Sequence, residues 1–159
     1  MDAFDPEDFQ AACLLVGSIT VHWAYLEMSI DQIVTGSFQK LGGNKITRTI
    51  PKQFSAKSTY LQSACSGLPA LSPFKDRIRQ YLTDADALAL ARNEIVHSAI
   101  MTIQSQGDVG FVGIKQGKQT IHFNQSSRSL QQLLDTSNKL QGLSLVGAKL
   151  AADVLHICQ

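Results

Sequence analysis

The sequence contains no run of about twenty apolar residues, the length that a transmembrane helix needs. Residues 1–8 contain four acidic side chains, whereas a secretion signal is basic and then apolar. The three cysteines, Cys13, Cys65 and Cys158, are odd in number and include no CxxC pair, which favours reduced, buried thiols. We therefore expect a cytoplasmic protein without a membrane segment or a disulfide.

Common enzyme and metal-binding motifs are also missing. The four histidines show no HxxxH or His-carboxylate spacing of a metal site. No nucleophile-elbow pattern is present, and Gly42-Gly43-Asn44-Lys45 departs from the phosphate-loop sequence. These absences disfavour a metal site, a serine or cysteine hydrolase and a nucleoside triphosphatase. We expect neither a metal nor a cofactor.

The size and composition are those of an ordinary globular protein. The chain has 159 residues, of which 44% are hydrophobic and 17% charged, and its formal net charge is +1. A chain of this length builds one sizeable core, and a disordered chain would be more polar. We find no internal repeat, and we expect a single domain over residues 1–159.

The charges are unevenly distributed along the chain. Residues 32–75 contain six basic residues and no acidic one. Two interpretations remain open for this segment: a solvated loop, or a rim that contacts phosphates and gives salt-dependent binding. In the second case the candidate RNA contacts are Lys45, Arg48, Lys52 and Lys57.

Apolar periodicity predicts a long first helix. Asp5 followed by Pro6 is a good N-terminus, since Asp caps a helix and Pro fits its first position. Apolar residues then recur at three- and four-residue steps from Phe9 to Val34, which marks one buried face. Gly36 and the glycine-rich turn at residues 42–44 are expected to end this helix.

Two further helices are expected before the chain changes character. A short helix over Ser55 to Ser66 would be capped by Ser55. Ser72 and Pro73 would cap a second long amphipathic helix, whose apolar positions run from Phe74 to Ala99.

The rest of the chain combines short strands with a last helix. Three β-branched or aromatic runs, separated by Gly-containing turns, predict a small antiparallel hairpin or meander: residues 99–103, 109–115 and 119–123. Ser126 or Ser127 would cap a third long helix, with an apolar face from Leu130 to Leu155. The predicted fold is mainly α, a bundle of long antiparallel helices with a β-insertion at about residues 99–123.

The segment Arg92-Asn93-Glu94-Ile95-Val96-His97 carries the functional signal. At about 100° per residue, Arg92, Asn93 and His97 share a wedge of about 140° of the helix surface. Arg92 also falls among the apolar core positions of that helix. A guanidinium buried without partners costs several kcal/mol, so Arg92 must either pair with a carboxylate or face an interface or cleft that holds anions.

Two alternatives follow for these residues. In a purely structural one, Arg92 pairs with Glu27 or Asp31 of the first helix, and His97 stabilises the C-terminal end of its own helix. In a functional one, Arg92 binds phosphate oxygens, Asn93 orients the groups, and His97 transfers protons near neutral pH. The second set of roles suits metal-free RNA cleavage, in which a 2′-hydroxyl attacks its own phosphate.

The same segment resembles the Arg-polar-x-x-x-His signature of the HEPN superfamily (higher eukaryotes and prokaryotes nucleotide-binding domains). Its position late in a core helix of a helical chain agrees with that family. The segment Trp23-Ala24-Tyr25-Leu26-Glu27 on the first helix is also similar to small bacterial members. The resemblance covers nearly the whole chain, apart from the β-insertion, which is not part of the family's core.

The resemblance implies a metal-independent endoribonuclease that acts as a homodimer, with two copies of the signature facing one cleft. Arg92 would stabilise charge on the phosphate, His97 would act as general acid or base, and Asn93 would orient them. A toxin or defence effector with an antitoxin or other regulatory protein as partner is a further implication. The alternative is a non-catalytic helical module that binds nucleotides or proteins, as some members of the superfamily do.

Overall fold

The computed structural model describes residues 6–103, 108–116 and 120–159. Four α-helices span Pro6–Lys40 (α1), Phe54–Gly67 (α2), Lys75–Val96 (α3) and Leu130–His156 (α4). Three strands, Ser98–Ile103 (β1), Asp108–Gln116 (β2) and Ile121–Ser129 (β3), lie between α3 and α4. Two short 3₁₀ helices, Gly43–Lys45 and Pro69–Phe74, precede α2 and α3. The prediction of a mainly α fold with a small antiparallel sheet before the last helix is confirmed.

The strands form a meander in the order β1-β2-β3, and both pairings are antiparallel. A register shift interrupts the β1–β2 pairing between Ile100 and Thr102. The β2–β3 pairing is continuous, from Asp108 opposite Ser129 to Gln116 opposite Ile121. Since successive residues of a strand point to opposite faces, this register decides which side chains of β3 share a face with those of β2.

The chain divides into two compact units, to both of which α1, α3 and α4 contribute residues. The sheet unit contains the described part of Met1–His22 together with Leu88–Leu140. Its core is formed by buried side chains of three helices and β2: Ala12, Ile19, Ile95, Val109, Phe111, Leu133 and Leu140. Within it, the hydroxyls of Ser18 and Ser137 join α1 to α4 at 2.7 Å.

The helical unit contains Trp23–Ala87 and Gln141–Gln159. All four α-helices contribute to its core, which includes Leu26, Ile30, Ile33, Leu61, Ile78, Tyr81, Leu82, Leu150 and Val154. Arg77 of α3 pairs with Asp153 of α4 at 2.8 Å on its surface. The expectation that the whole chain is one domain stays a prediction.

Several predicted helix ends differ from those observed. α1 continues through Gly36 to Lys40, and Gly36 lies against Leu155 and Cys158, where a Cβ would come to 3.0 Å from Leu155 Cδ2. This glycine therefore permits close packing and does not end the helix. The chain leaves α1 at Gly42, whose φ of +86° is a left-handed conformation that favours glycine. The predicted N-cap Asp5 lies outside the described residues.

The predicted caps of the next two helices were wrong. Gln53, and not Ser55, precedes α2, and its side chain makes no capping hydrogen bond. Ser72 and Pro73 lie inside a 3₁₀ helix that leads into α3 at Lys75. The helical conformation therefore begins at Pro69, before the predicted cap. α3 ends at Val96, three residues earlier than the apolar pattern indicated, because the chain enters β1 at Ser98.

The β-insertion is longer than predicted. β3 runs to Ser129, so Ser126 and Ser127 are strand residues and do not cap α4. Their partners across the ladder are Phe111 and Gly110, and this pairing outweighs the local capping tendency of serine. The predicted start of the third strand at Gln119, and the turn residues 106, 107, 117 and 118, lie outside the described residues.

Helix α1 is the one described helix whose length and composition would allow it to cross a membrane. Its most apolar 18-residue window has a mean hydropathy of 1.3, and 22% of that window is buried. The core helix of a soluble protein or a signal sequence meets the same criteria. The expected cytoplasmic location and the absence of a membrane segment therefore stay predictions.

Candidate functional site

The end of α3 positions the three residues of the predicted site. Arg92 and Asn93 lie in its last two turns, and His97 is the first residue after the helix. The backbone N–H of His97 donates to the carbonyl of Asn93 at 3.1 Å, which is a helical i to i−4 bond. His97 therefore keeps its helical position relative to Asn93, although the chain then turns into β1.

The three side chains are in contact. Arg92 Nη1 donates a hydrogen bond to Asn93 Oδ1 at 2.8 Å and lies 3.4 Å from His97 Nε2. Arg92 is half-buried, whereas Asn93 and His97 are exposed. The helical spacing predicted one shared face, and the observed distances join the guanidinium, the amide and the imidazole into one polar group.

The contact between Arg92 Nη1 and His97 Nε2 is a hydrogen bond in only one tautomer of the imidazole. An imidazole nitrogen can accept a hydrogen bond from a guanidinium only through a lone pair, so Nε2 is unprotonated when the proton lies on Nδ1. In that form the Nε2 lone pair accepts from Arg92. When the guanidinium contacts a phosphate instead, the lone pair is released and can take a proton from a hydroxyl.

A cleft of about 410 Å³ borders the site within the sheet unit. Leu90, Asn93 and His97 line it from α3 and the residue that follows, and Gly113 and Asn124 line it from β2 and β3. Gly113 and Asn124 are direct partners in the β2–β3 ladder. The β-insertion therefore contributes one wall of the cleft beside the motif.

Sequence reasoning missed this wall. Asn124 follows the predicted end of the third strand, and nothing in the local pattern links it to Asn93. The Gly-containing turns did indicate that the strands pair. The register, however, depends on contacts between residues far apart in sequence, so the partner of each residue could not be assigned.

An ion pair connects the sheet to the motif. Arg128 of β3 pairs with Glu94 of α3 through Nη2 and Oε2, and the side chains are 25% and 31% exposed. Glu94 lies between Asn93 and His97 in the chain and lines the same cleft. The Arg128 guanidinium therefore offsets the negative charge that Glu94 brings to the cleft. Neither residue was expected to have a role.

The predicted RNA-contact candidates belong to the helical unit and differ in exposure. Lys45, Arg48 and Lys52 lie between α1 and α2 and are exposed. Lys57 lies in α2, its side chain is 8% exposed, and its Nζ is 2.6 Å from Asp31 Oδ1. Binding a phosphate would require Lys57 to leave a buried position and its carboxylate partner, which disfavours it as an RNA contact, and the four candidates stay predictions.

The two carboxylates of the structural alternative have partners within the helical unit. Asp31 pairs with Lys57, and Glu27 accepts a 2.9 Å hydrogen bond from the indole Nε1 of Trp23. Trp23 itself is buried and packs against Phe54, with ring centroids 5.2 Å apart. Both acids thus have a stabilising role that does not involve the motif.

The other titratable groups of the described residues form no candidate metal centre. Within residues 6–103, 108–116 and 120–159, no three His, Cys, Asp or Glu side chains are grouped as a metal site would require. The cysteines are unpaired, and the expectation that all are buried was wrong for Cys13, which is exposed. Burial raises the pKa of the Cys65 thiol, although nearby Arg79 and Lys75 act in the opposite direction.

Comparisons of the chain with family models, with curated proteins and with solved structures found no match.

Proposed function

We propose that the chain is a metal-independent endoribonuclease of the HEPN type that acts as a homodimer. The observation that carries this proposal is the contact of Arg92 with both Asn93 and His97, at 2.8 Å and 3.4 Å. A cation, an orienting amide and a proton acceptor within one hydrogen-bonded group are the components that RNA transesterification needs. A role as a toxin or defence effector, controlled by an antitoxin or other regulatory protein, is part of the proposal.

The proposed step is attack of a ribose 2′-oxygen on the adjacent phosphorus. His97 Nε2 takes the proton of the 2′-hydroxyl, the O2′–P bond forms, and the P–O5′ bond breaks. The products are a 2′,3′-cyclic phosphate and a 5′-hydroxyl, whose proton comes from a second imidazole. Arg92 stabilises the charge that develops on the phosphate oxygens, and Asn93 fixes the orientation of the guanidinium.

The second imidazole is the reason for proposing a dimer. One His97 can supply either the base or the acid in a single step, so His97 of a second copy would complete the pair. Apolar side chains on α1 and α4 of the sheet unit support self-association. Leu14 is 67% exposed, Leu134 is 40% exposed, and both line an apolar cleft of about 360 Å³. An apolar surface of this kind is typical of a protein interface.

The test is cleavage of RNA in EDTA by the wild-type protein and by His97→Ala and Arg92→Ala. We expect cleavage by the wild type and loss of it in both variants, with a 5′-hydroxyl on the downstream product. His156→Ala, which changes an exposed histidine of α4, is the matched control and should cleave normally. DNA of the same sequence should stay intact because it lacks the 2′-hydroxyl. Full activity of the Arg92→Ala, His97→Ala double variant would refute the proposal.

The dimer has its own test in light scattering at the concentrations used for cleavage. Leu14→Asp should give a monomer with little activity, whereas Thr20→Glu, at an exposed polar position of the same helix, should stay dimeric and active. A fully active Leu14→Asp monomer would contradict the composite site. A wild-type dimer that leaves all RNA intact would favour the non-catalytic binding module.

A further inference from the structure

The cleft beside the motif contains two side-chain amides from separate elements. Asn93 projects from α3 and Asn124 from β3, and both are exposed and line the same 410 Å³ volume. Leu90, which is 78% exposed, is on the α3 side of the cleft. With Ile114 of β2, the cleft thus presents two apolar side chains and two amide groups that both donate and accept hydrogen bonds.

The cleft suits an uncharged ring better than a phosphate. Glu94 adds a carboxylate to its lining, and the Arg128 guanidinium paired with it offsets that charge but leaves no excess of positive charge. Single-stranded RNA is recognised by proteins through bases that leave the stack and make hydrogen bonds at their edges. A carboxamide can form two such bonds to one base.

The position of Gly113 also suits a ring bound in the cleft. It lies directly opposite Asn124 in the ladder and contributes no side chain to the cleft. A Cβ at this position would approach Ser98 Oγ to 2.9 Å, so a larger residue would crowd the strand and reduce the cleft. Glycine within a strand often marks a place where a ligand approaches the backbone closely.

We infer that the cleft is a nucleobase subsite and that Asn124 is the residue that determines base preference. It would hold the base of the nucleotide next to the scissile phosphate, while Arg92 and His97 act on the phosphate. This inference rests on the proposed function for its place in the reaction. The binding of a base in the cleft can nevertheless be tested without cleavage.

The binding test uses the four nucleoside 3′-monophosphates and the side-chain amide signals of ¹⁵N-labelled protein. We expect one or two of the nucleotides to shift the Asn124 and Asn93 signals. The affinity for these nucleotides should be about 10-fold lower in Asn124→Ala. Gln125→Ala is the matched control, because Gln125 is the next residue, pairs with Val112 and points to the other face of the sheet. It should bind like the wild type.

The cleavage test uses four DNA oligonucleotides, each with one ribonucleotide, so that cleavage can occur only at that position. The four oligonucleotides differ in the base next to the cleavage position. The wild type should prefer one base or base class about 10-fold or more, and Asn124→Ala should flatten this preference while it keeps measurable cleavage. Asn124→Asp, which loses the donor and keeps the acceptors, should change the order of preference. Thermal unfolding checks that each variant is folded.

The outcomes separate the two proposals. Cleavage with the same base preference in wild type and Asn124→Ala would overturn the nucleobase subsite and leave the ribonuclease proposal intact. Nucleotide binding that depends on Asn124, without cleavage of any RNA, would refute the ribonuclease and retain the subsite. If none of the four nucleotides shifts the Asn124 signals, the subsite is refuted, whatever the protein does to RNA.

Discussion

Arg128, two residues before the start of α4, forms an ion pair with Glu94, which lies between Asn93 and His97 in the motif. The pair attaches the last strand of the insertion to the helix that carries Arg92. Because Asn124 lies on the same face of β3 as Arg128, the pair also fixes the wall of the cleft relative to His97. The insertion is thereby part of the candidate site.

Removing one partner of this pair should destabilise the protein. Both side chains are less than one-third exposed, so Arg128→Gln removes an ion pair from a partly buried carboxylate and should lower the free energy of unfolding by about 1–3 kcal/mol. The Glu94→Gln, Arg128→Gln double variant should regain part of this loss. Urea unfolding of the wild type, Arg128→Gln, Glu94→Gln and the double variant gives the coupling energy.

A more exposed ion pair supplies the comparison. Arg77 and Asp153 are 48% and 39% exposed, and such pairs contribute about 0–1 kcal/mol. Arg77→Gln should therefore have a smaller effect than Arg128→Gln. Equal effects of the two substitutions would show that the Glu94 pair does not hold the insertion in place.

The basic residues before and within α2 should separate into two groups when mutated. Lys57→Gln removes a buried cation from Asp31 and should cost about 1–2 kcal/mol of stability, measured by urea unfolding. Lys45→Gln, Arg48→Gln and Lys52→Gln change exposed side chains, and each should alter stability by about 0.5 kcal/mol or less.

If that exposed group contacts RNA, the triple variant should bind RNA more weakly. The slope of log affinity against log salt concentration should fall by about 0.7 for each phosphate contact that is lost, measured by fluorescence anisotropy. An unchanged slope would leave these residues as a solvated loop, which was the other interpretation of the segment.

The start of α4 shows where sequence reasoning failed. Ser126, Ser127 and Ser129 are all residues that can cap a helix, and the residue type alone does not distinguish them. The nine-residue pairing of β3 with β2 decides among them, because it holds the chain extended through Ser129. The local signal for the correct choice was Gln132, whose Oε1 accepts from the Ser129 N–H at 2.9 Å, while Ser129 Oγ accepts from the Gln132 N–H at 3.1 Å.

This capping box gives a direct test. Ser129→Ala removes the side-chain acceptor of the Gln132 backbone N–H in the first turn of α4 and should lower stability by about 1 kcal/mol. Ser127→Ala changes an exposed strand residue opposite Gly110 and should have an effect below about 0.5 kcal/mol. Thermal unfolding of both variants distinguishes the positions, and equal values would contradict the observed helix start.

The same division between local and non-local information applies to the candidate site. Helical spacing places Arg92, Asn93 and His97 on one wedge of the helix surface, which is why the sequence sufficed to group them, and the observed contacts lie within that wedge. Asn124, Gly113 and Arg128 reach the motif only through the strand register. Likewise, the pairing of Lys57 with Asp31 joins two helices and has no signature in the local charge pattern.

Alkaline pH should destabilise the protein through Tyr81. The side chain is 2% exposed and donates to the carbonyl of Leu26 at 3.2 Å, and burial raises its pKa above the ordinary value of 10.0. The unfolded chain then loses this proton at lower pH than the folded protein. The contribution of protonated Tyr81 to the free energy of unfolding is fully present below about pH 10. It is lost as pH rises toward the folded pKa, by up to about 1.4 kcal/mol per pH unit.

Tyr81→Phe isolates this contribution. At pH 8 the variant should be about 1 kcal/mol less stable than the wild type, since one hydrogen bond is lost. Above pH 10 this difference should shrink or reverse. Tyr25→Phe, at a half-exposed position, is the control for loss of a hydroxyl. A constant difference between wild type and Tyr81→Phe from pH 8 to pH 11 would exclude Tyr81 as the group responsible.

Two glycines of α4 should respond oppositely to alanine. A Cβ at Gly147 would lie 2.6 Å from Tyr81 Cζ and 3.0 Å from its Cε2, and a buried ring cannot rotate away as an exposed chain can. Gly147→Ala should therefore lower stability by about 1–3 kcal/mol, despite a gain in helix propensity of about 1 kcal/mol. At Gly142 nothing lies within 4 Å, so Gly142→Ala should raise stability by about 0.5–1 kcal/mol.

Tyr81→Phe provides the decisive combination with Gly147→Ala. Removing the hydroxyl relieves the closest part of the overlap, so the double variant should be more stable than the sum of the two single effects predicts. Unfolding in urea of the single and double variants measures this coupling. Strictly additive effects would mean that α4 moves away from Tyr81 as a whole, and the contact between Gly147 and the tyrosine ring would then not determine how closely these helices pack.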